Sequence, residues 1–182
     1  KYQFDEKKTS NAPFNTTDGT KKLVKMMEMS ASLGMFGNNK YAAVQLPYAN
    51  GQYNLTLIQP SVGTVNELIE GFGKADWDEL QTYFRNTSAA TTIVRMPKFT
   101  LDYEIKLNET LQAMGVRRAF FEGAEFGSIS RSQGLMLSFV KQNTFLGVDE
   151  KGTEAAAVTT IGMVMTSMPA TPRSIVFDKP FL

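Results

Sequence analysis

The chain contains no cysteine and no histidine. The first absence excludes disulfides and a thiolate nucleophile; the second excludes a catalytic imidazole and a histidine pH switch. Together they exclude the common Cys/His zinc sites. Oxygen-ligand metals are not excluded by this, yet no Asp/Glu loop has calcium-binding spacing, and no metal or other cofactor is expected. Excess charge of one sign is also lacking: the net charge is +1, which implies no polyanion-binding role and hence no nucleic-acid partner. The pair Arg117-Arg118 reads as a solvated surface feature. No apolar stretch is long enough to span a bilayer, and the start, KYQFDEKK, lacks the layout of a secretory signal and reads like the middle of a protein.

What is present is ordinary globular material. Of 182 residues, 42% are apolar and 20% charged, enough for one domain with a real core. Residues 1–20 are polar and turn-rich. Lys21 to Met29 fits a strand or a short helix equally. Ala42 to Tyr48 and Tyr53 to Gln59 are strand-like and joined through Asn50-Gly51, a strong hairpin signal. Thr64-Val65-Asn66-Glu67 has capping-box spacing ahead of Leu68 and Ile69. A second helix opens at Asp76-Trp77-Asp78-Glu79, with Leu80, Tyr83 and Phe84 on one face. Its three acids suit the positive end of a helix dipole better than a catalytic acid pair.

Thr91 to Ile105 is extended. Phe99, Leu101, Tyr103 and Ile105 alternate with Thr100, Asp102 and Glu104, which predicts a strand with one buried face. Leu107, Leu111 and Met114 follow at helical spacing, stopped by Gly115. Leu135, Leu137 and Phe139 alternate again, and the run is predicted as one long strand to Val148. No repeat, low-complexity segment or domain boundary is evident. Asn15, Asn54, Asn86 and Asn108 sit in glycosylation sequons, a pattern short enough to recur by chance.

The unusual stretch is Gly152 to Pro172, GTEAAAVTTIGMVMTSMPATP. Its one charge is Glu154, and no proline precedes Pro169. Val158, Thr159, Thr160 and Ile161 suit a strand, whereas Pro169 to Pro172 suits exposed loop. Two readings follow: an ordinary buried strand or helix end followed by a linker, or an exposed loop able to become a central strand. A structureless connection of this length is uncommon in a compact domain.

The rest of the chain bears on that choice through a set of short motifs in fixed order. They are Thr9 with Pro13-Phe14, Val24 with Met26-Met27, Leu46-Pro47-Tyr48, Met96-Pro97-Lys98-Phe99, and Leu111 with Met114-Gly115. Phe126 with Ile129-Ser130 follows, then Asp149-Glu150-Lys151-Gly152-Thr153-Glu154-Ala155-Ala156-Ala157, and Asp178-Lys179-Pro180-Phe181. In this ordered set the chain resembles the C-terminal half of a serpin. The resemblance implies a mixed α/β fold of the α+β class, with large sheets and short helices. It implies that 1–182 is a single partial domain, lacking an N-terminal half and two final strands. A chain so reduced would leave strands unpartnered and is not expected to fold alone. One departure is Gln142, which stands where the family usually has a histidine that helps keep the central sheet closed; glutamine does not titrate near neutrality.

The resemblance further implies an irreversible suicide-substrate inhibitor of serine, and by extension cysteine, proteases; it implies no enzyme and no cofactor. The alternative is a non-inhibitory serpin-fold binding or chaperone protein. The hinge and reactive loop span 150–172, the hinge residues being Glu150, Gly152, Thr153, Glu154, Ala155, Ala156, Ala157 and Thr159. Counting from Glu150 places the scissile bond at Thr166–Ser167, with Met165–Thr166 as the alternative. Met165, Thr166 and Ser167 are bait. With no Arg or Lys beside the bond, elastase-, chymotrypsin- or subtilisin-like proteases are the expected partners. Family behaviour also implies a monomer when complete, outside the cell, at its surface or in the periplasm.

Overall fold

The computed structural model describes residues 3–48, 51–129, 134–151 and 171–182. They form two compact units, residues 1–99 with 148–182 and residues 100–147.

The first unit is built on one long strand. After a short 3₁₀ turn at Glu6–Lys8, β1 (Ser10–Asn15) runs antiparallel to β2 (Lys21–Gly37). The stretch that fitted a strand or a helix equally is thus strand, because its residues lie within a ladder. β2 pairs with three strands in succession: β1 over 21–26, β5 (Ala90–Pro97) over 26–33 and β3 (Tyr41–Tyr48) over 34–37. β4 (Tyr53–Pro60) completes the expected hairpin with β3, and Gly51 in its turn has φ +85°, a conformation that favours glycine. β8 (Arg173–Val176) adds in parallel to β5, giving the order β4-β3-β2-β5-β8. Met26, Met27, Met29, Leu33, Val94, Met96, Ile175 and Phe177 are buried along these strands.

Two helices cover the hairpin end of this sheet. α1 (Val65–Gly71) starts at the predicted capping box: the Glu67 N–H donates to Thr64 Oγ1, and the Thr64 N–H donates to Glu67 Oε2. α2 (Lys74–Asn86) starts two residues earlier than the acidic run suggested. Its Gly73 N-cap donates its N–H to Asp76 Oδ2, so Asp76 lies in the first turn rather than at its start. Leu80 is fully buried among Phe36, Tyr41, Ala43, Ile58 and Leu68, with Phe72, Tyr83 and Phe84 packed around them. Burying one such leucine contributes about 1.5–3 kcal/mol. Two of the acids of α2 are engaged in ion pairs: Asp76 meets Lys40 at 3.0 Å, and Asp78 pairs with Lys74 one turn away.

After β8 the chain is held at three points. The Phe177 N–H donates to Arg95 O. Both the backbone N–H and Nδ2 of Asn15 donate to Asp178 O. Leu182 exchanges two backbone hydrogen bonds with Ile58. The rings of Phe177 and Phe99 each meet Phe181 edge-on.

The second unit holds a two-stranded ribbon of β6 (Phe99–Lys106) and β7 (Lys141–Val148), with α3 (Asn108–Ala113) between them in sequence. Gly115, at φ +100°, stops α3 as predicted. Two expectations need correction here. The strand predicted from Leu135 to Val148 begins only at Lys141. Upstream, the backbone is committed elsewhere: the Leu137 N–H donates to Ala119 O, the Val140 N–H to Asn108 Oδ1, and the Leu107 N–H to Val140 O. The alternating face of β6 is not buried: Leu101 is 53% and Tyr103 57% exposed, and Phe145 on β7 is 74% exposed. A two-stranded ribbon has no third layer of its own to cover a face.

Candidate functional site

The described residues reach the base of the unusual stretch at Lys151 and resume at Thr171. Of the predicted hinge, Gly152, Thr153, Glu154, Ala155, Ala156, Ala157 and Thr159 lie outside the described residues, as do Met165, Thr166 and Ser167 of the predicted bait. Glu150 is the one predicted hinge residue among those described.

Three segments far apart in sequence meet at its carboxylate. Thr9, just before β1, donates its hydroxyl to Glu150 Oε1 at 3.0 Å. Lys98, in the one-residue step between β5 and β6, places Nζ 2.8 Å from Glu150 Oε2. The Glu150 backbone carbonyl accepts the Phe4 N–H at 3.0 Å. The Glu150 side chain is 12% exposed and that of Lys98 46%, so the pair lies at the wall of a cleft rather than in the core. Glu6, Lys25, Asp149 and Lys151 line the same cleft. Beneath it, Val148 is buried beside Phe4, Met29, Leu46 and Met96.

Electrostatics follow from this geometry. The Lys98 ammonium first, then the backbone N–H of Glu150 itself and the Thr9 hydroxyl, hold the Glu150 carboxyl below its ordinary value of 4.5, against the opposing effect of burial. Glu150 in turn raises the Lys98 ammonium above its ordinary 10.5. Each group stabilises the charged form of the other. A charge-assisted pair with a third donor is a clamp: it pins the chain two residues before Gly152.

The far end is pinned too. Arg173, first residue of β8, pairs with Thr92 on β5. Lys98 lies six residues further along that strand direction, so the anchors of Glu150 and Arg173 are about 20 Å apart. Residues 151–172, drawn out fully, would reach about 75 Å. The tether therefore has far more contour than its span requires.

Other sequence candidates separate from this site. Gln142 is exposed, and its Nε2 lies 3.5 Å from Thr144 Oγ1 on its own strand. Arg118 forms an ion pair with Glu125 in which both side chains are exposed. Among the described residues no helix is long and apolar enough to cross a membrane, and no group of three or more His, Cys, Asp or Glu side chains could hold a metal ion. Thr9 and Lys98 were marked in the sequence only as motif residues; the opposite charges of Lys98 and Glu150 were the one signal of a shared role.

Known proteins match the chain over nearly its whole length. The family model for Serpin (serine protease inhibitor) matches residues 1–182. An uncharacterized serpin-like protein of Thermococcus kodakarensis is 30% identical over 99% of this chain and 42% of its own length. An alpha-1-antitrypsin homolog of Cyprinus carpio is 30% identical over 98% of this chain and 47% of its own. In structure the chain is similar to the thermophilic serpin tengpin in its native state, with a TM-score of 0.75 at 27% identity, over 98% of this chain and 46% of that one. It also matches human thyroxine-binding globulin, with a TM-score of 0.77 at 24% identity over the same shares, a likeness of fold alone. The chain spans about half the length of the curated relatives it matches.

Proposed function

The chain belongs to the serpin family, and from that premise we propose that the whole protein is an irreversible suicide-substrate inhibitor of serine proteases, with residues 150–172 as hinge and bait. On this reading 1–182 is the C-terminal part of one larger domain. The family carries protease inhibition in general; the mechanism and targets set out here are the proposal.

The observation that carries it is the pairing of a clamped base with an unobstructed hinge. Glu150 is held by Lys98 and Thr9. The residues after it, Gly152 to Met168, contain no proline and a single charge. In a strand with Thr153 facing inward, Ala155, Ala157, Thr159 and Ile161 would share that inner face, and the charged Glu154 would fall on the outer one with Ala156, Val158 and Thr160. The small early residues let a new strand enter a packed sheet without overfilling it.

Chemistry would begin on the protease. Its serine oxygen adds to the carbonyl carbon of Thr166, or of Met165 in the alternative register. The peptide bond to the next nitrogen breaks, and the amine leaves with a proton from the protease's general acid. An ester then links the two proteins. The freed upstream limb inserts beside β7 before water can release it. A strand of roughly 12 residues, at about 1 kcal/mol net per hydrogen bond plus apolar burial, makes insertion worth on the order of ten kcal/mol. That equals the stability of a whole domain and suffices to distort a bound protease. Elastase-, chymotrypsin- or subtilisin-like enzymes are the targets, because the bond has no basic residue beside it.

The test mixes full-length protein with an elastase-like protease and resolves the products on a denaturing gel. A covalent band of summed mass, with raised heat resistance of the cleaved protein, is expected. Cleavage with neither result would instead place the protein among serpin-fold binding proteins that do not inhibit.

A further inference from the structure

The helix-covered end of the first unit holds a cavity that neither the motif set nor the clamp accounts for. It measures about 240 Å³ and opens between the turn joining β2 to β3, the helix α1 and the start of α2. Its floor is apolar. Tyr41 and Leu68 are buried there beside Phe72, and the rings of Tyr41 and Phe72 meet edge-on at 5.3 Å. Val62 lines the mouth and is 80% exposed, an apolar side chain left in water. The rim is charged: Lys40 against Asp76 and Glu67, one positive and two negative groups, gives a net −1. Asp76 is served at both oxygens, Oδ1 by Lys40 Nζ and Oδ2 by the Gly73 N–H, each at 3.0 Å. Glu67 is served at one. Its Oε2 accepts the Thr64 N–H at 2.8 Å, while Oε1 has no hydrogen-bond partner among the described residues. Gly63 helps fix where that carboxylate sits: it has φ +80°, and an added Cβ would clash with Glu67 Oε2. Gly71, the last residue of α1, also lines the cavity. The final carbonyls of a helix have no partner within it and present its negative end.

We propose that this cavity binds a small organic amine, a primary ammonium on an apolar body of about ten non-hydrogen atoms. The body lies on Tyr41, Leu68 and Phe72 and covers Val62. The ammonium donates to Glu67 Oε1 and to the carbonyl end of α1. Size, charge and ring faces select this class together. A volume of 240 Å³ falls just short of the cavities that enclose drug-sized ligands, so the occupant is a fragment. A monovalent cation brings the rim from −1 to zero. An anion would instead meet two carboxylates, and the one ammonium at the rim is already paired with Asp76. The faces of Tyr41 and Phe72 attract a cation as well as an apolar body. The Thr64 N–H, then the Thr64 hydroxyl, hold the Glu67 carboxyl below its ordinary 4.5, so it is charged at neutral pH. The capping bond also holds Glu67 in place before a ligand arrives, and binding need not order that side chain. The site uses no residue of 150–172 and stands apart from the inhibitory reading.

The test titrates phenethylamine into full-length protein made with isotope-labelled glycine and follows the amide signals of Gly63 and Gly71 by nuclear magnetic resonance. A saturable shift of both is expected, with a dissociation constant on the order of 1 mM, as suits a ligand of this size. Phenethyl alcohol, the same body without the charge, should bind at least about fivefold more weakly, and hydrocinnamate, with the charge reversed, more weakly still. Glu67→Gln keeps the capping box, which glutamine also serves, and should weaken the amine roughly fivefold. Glu70→Gln makes the same charge change on an exposed residue of α1 outside the cavity and should leave binding within about twofold of the parent. Val62→Ser, at an exposed position where folding is not at stake, should weaken the amine roughly twofold through lost apolar contact. The proposal is overturned by the absence of a saturable shift up to about 20 mM amine. It is overturned equally by an alcohol or hydrocinnamate that binds as tightly as the amine, or by equal effects of Glu67→Gln and Glu70→Gln. Should Glu67→Gln fail to fold, the comparison of amine with alcohol on the parent protein decides by itself.

Discussion

Replacing Glu150 by alanine in the full-length protein would test whether the clamp holds the base of the proposed hinge. The variant loses the hydrogen bond from Thr9, at 3.0 Å, and the charge-assisted bond from Lys98, at 2.8 Å, on a side chain that is only 12% exposed. A hydrogen bond to a charged group contributes about 1.5–3 kcal/mol. Because Lys98 is half in water, its share is screened, and the expected loss for Glu150→Ala is about 2 kcal/mol, read as a melting temperature lower by a few degrees. Thr9→Val alone should cost about 1 kcal/mol. If the groups act together, Thr9→Val and Lys98→Met should each lose less in the Glu150→Ala background than in the parent. The clamp also fixes the pH response. The Glu150 carboxyl titrates below its ordinary 4.5 in the folded protein, so its contribution is complete above 4.5 and disappears as pH falls through the depressed value. The Lys98 ammonium titrates above 10.5, so its contribution is complete below 10.5 and disappears as pH rises through the raised value. In Glu150→Ala both limbs should flatten, as followed by melting temperature against pH. Strictly additive losses across the three positions, or unchanged acid and alkaline limbs, would refute the reasoning.

On the proposed inhibitory reading the two faces of the hinge should respond differently to charge: Ala157→Glu should turn the full-length protein from inhibitor into substrate, raising the number consumed per protease trapped at least about tenfold. Ala156→Glu should leave that number near the parent's, and equal effects would overturn the face assignment. Thr166→Arg should bring trypsin-like proteases into range, speeding their covalent capture on the order of 100-fold; cleavage elsewhere with no gain in capture would show that the bond is misplaced. Gly34→Ala should destabilise by about 1–3 kcal/mol, because the added methyl would lie 2.7 Å from a ring carbon of Phe84. Phe84→Leu made alongside it should recover part of the loss in a denaturant melt. Burial, aided by the Glu79 and Asp76 charges, pushes the Tyr41 hydroxyl up to about 12. In an ultraviolet titration this tyrosine should ionise later than an exposed one, and Glu79→Gln should bring it earlier.

Patterns that need only neighbouring residues were legible in the sequence. The hairpin about Asn50-Gly51, the Thr64 capping box, the apolar face of α2 and the stop at Gly115 each depend on a few adjacent side chains and backbone torsions, and each was found in place. The hinge composition belongs here too: charge, size and proline content are properties of the sequence itself. Alternation misled where a partner decided the outcome. Leu135 to Val140 alternates like strand, yet its amides are taken by Asn108 and Ala119, so the ladder starts only at Lys141. Leu101 and Tyr103 alternate like a buried face, yet they lie on a two-stranded ribbon. The clamp and the distal anchor were decided by tertiary structure alone. Glu150 finds Lys98 at a separation of 52 residues and Thr9 at 141, and Arg173 reaches Leu33 across 140. Such contacts are set by the order and register of whole strands, which no local window of side chains encodes.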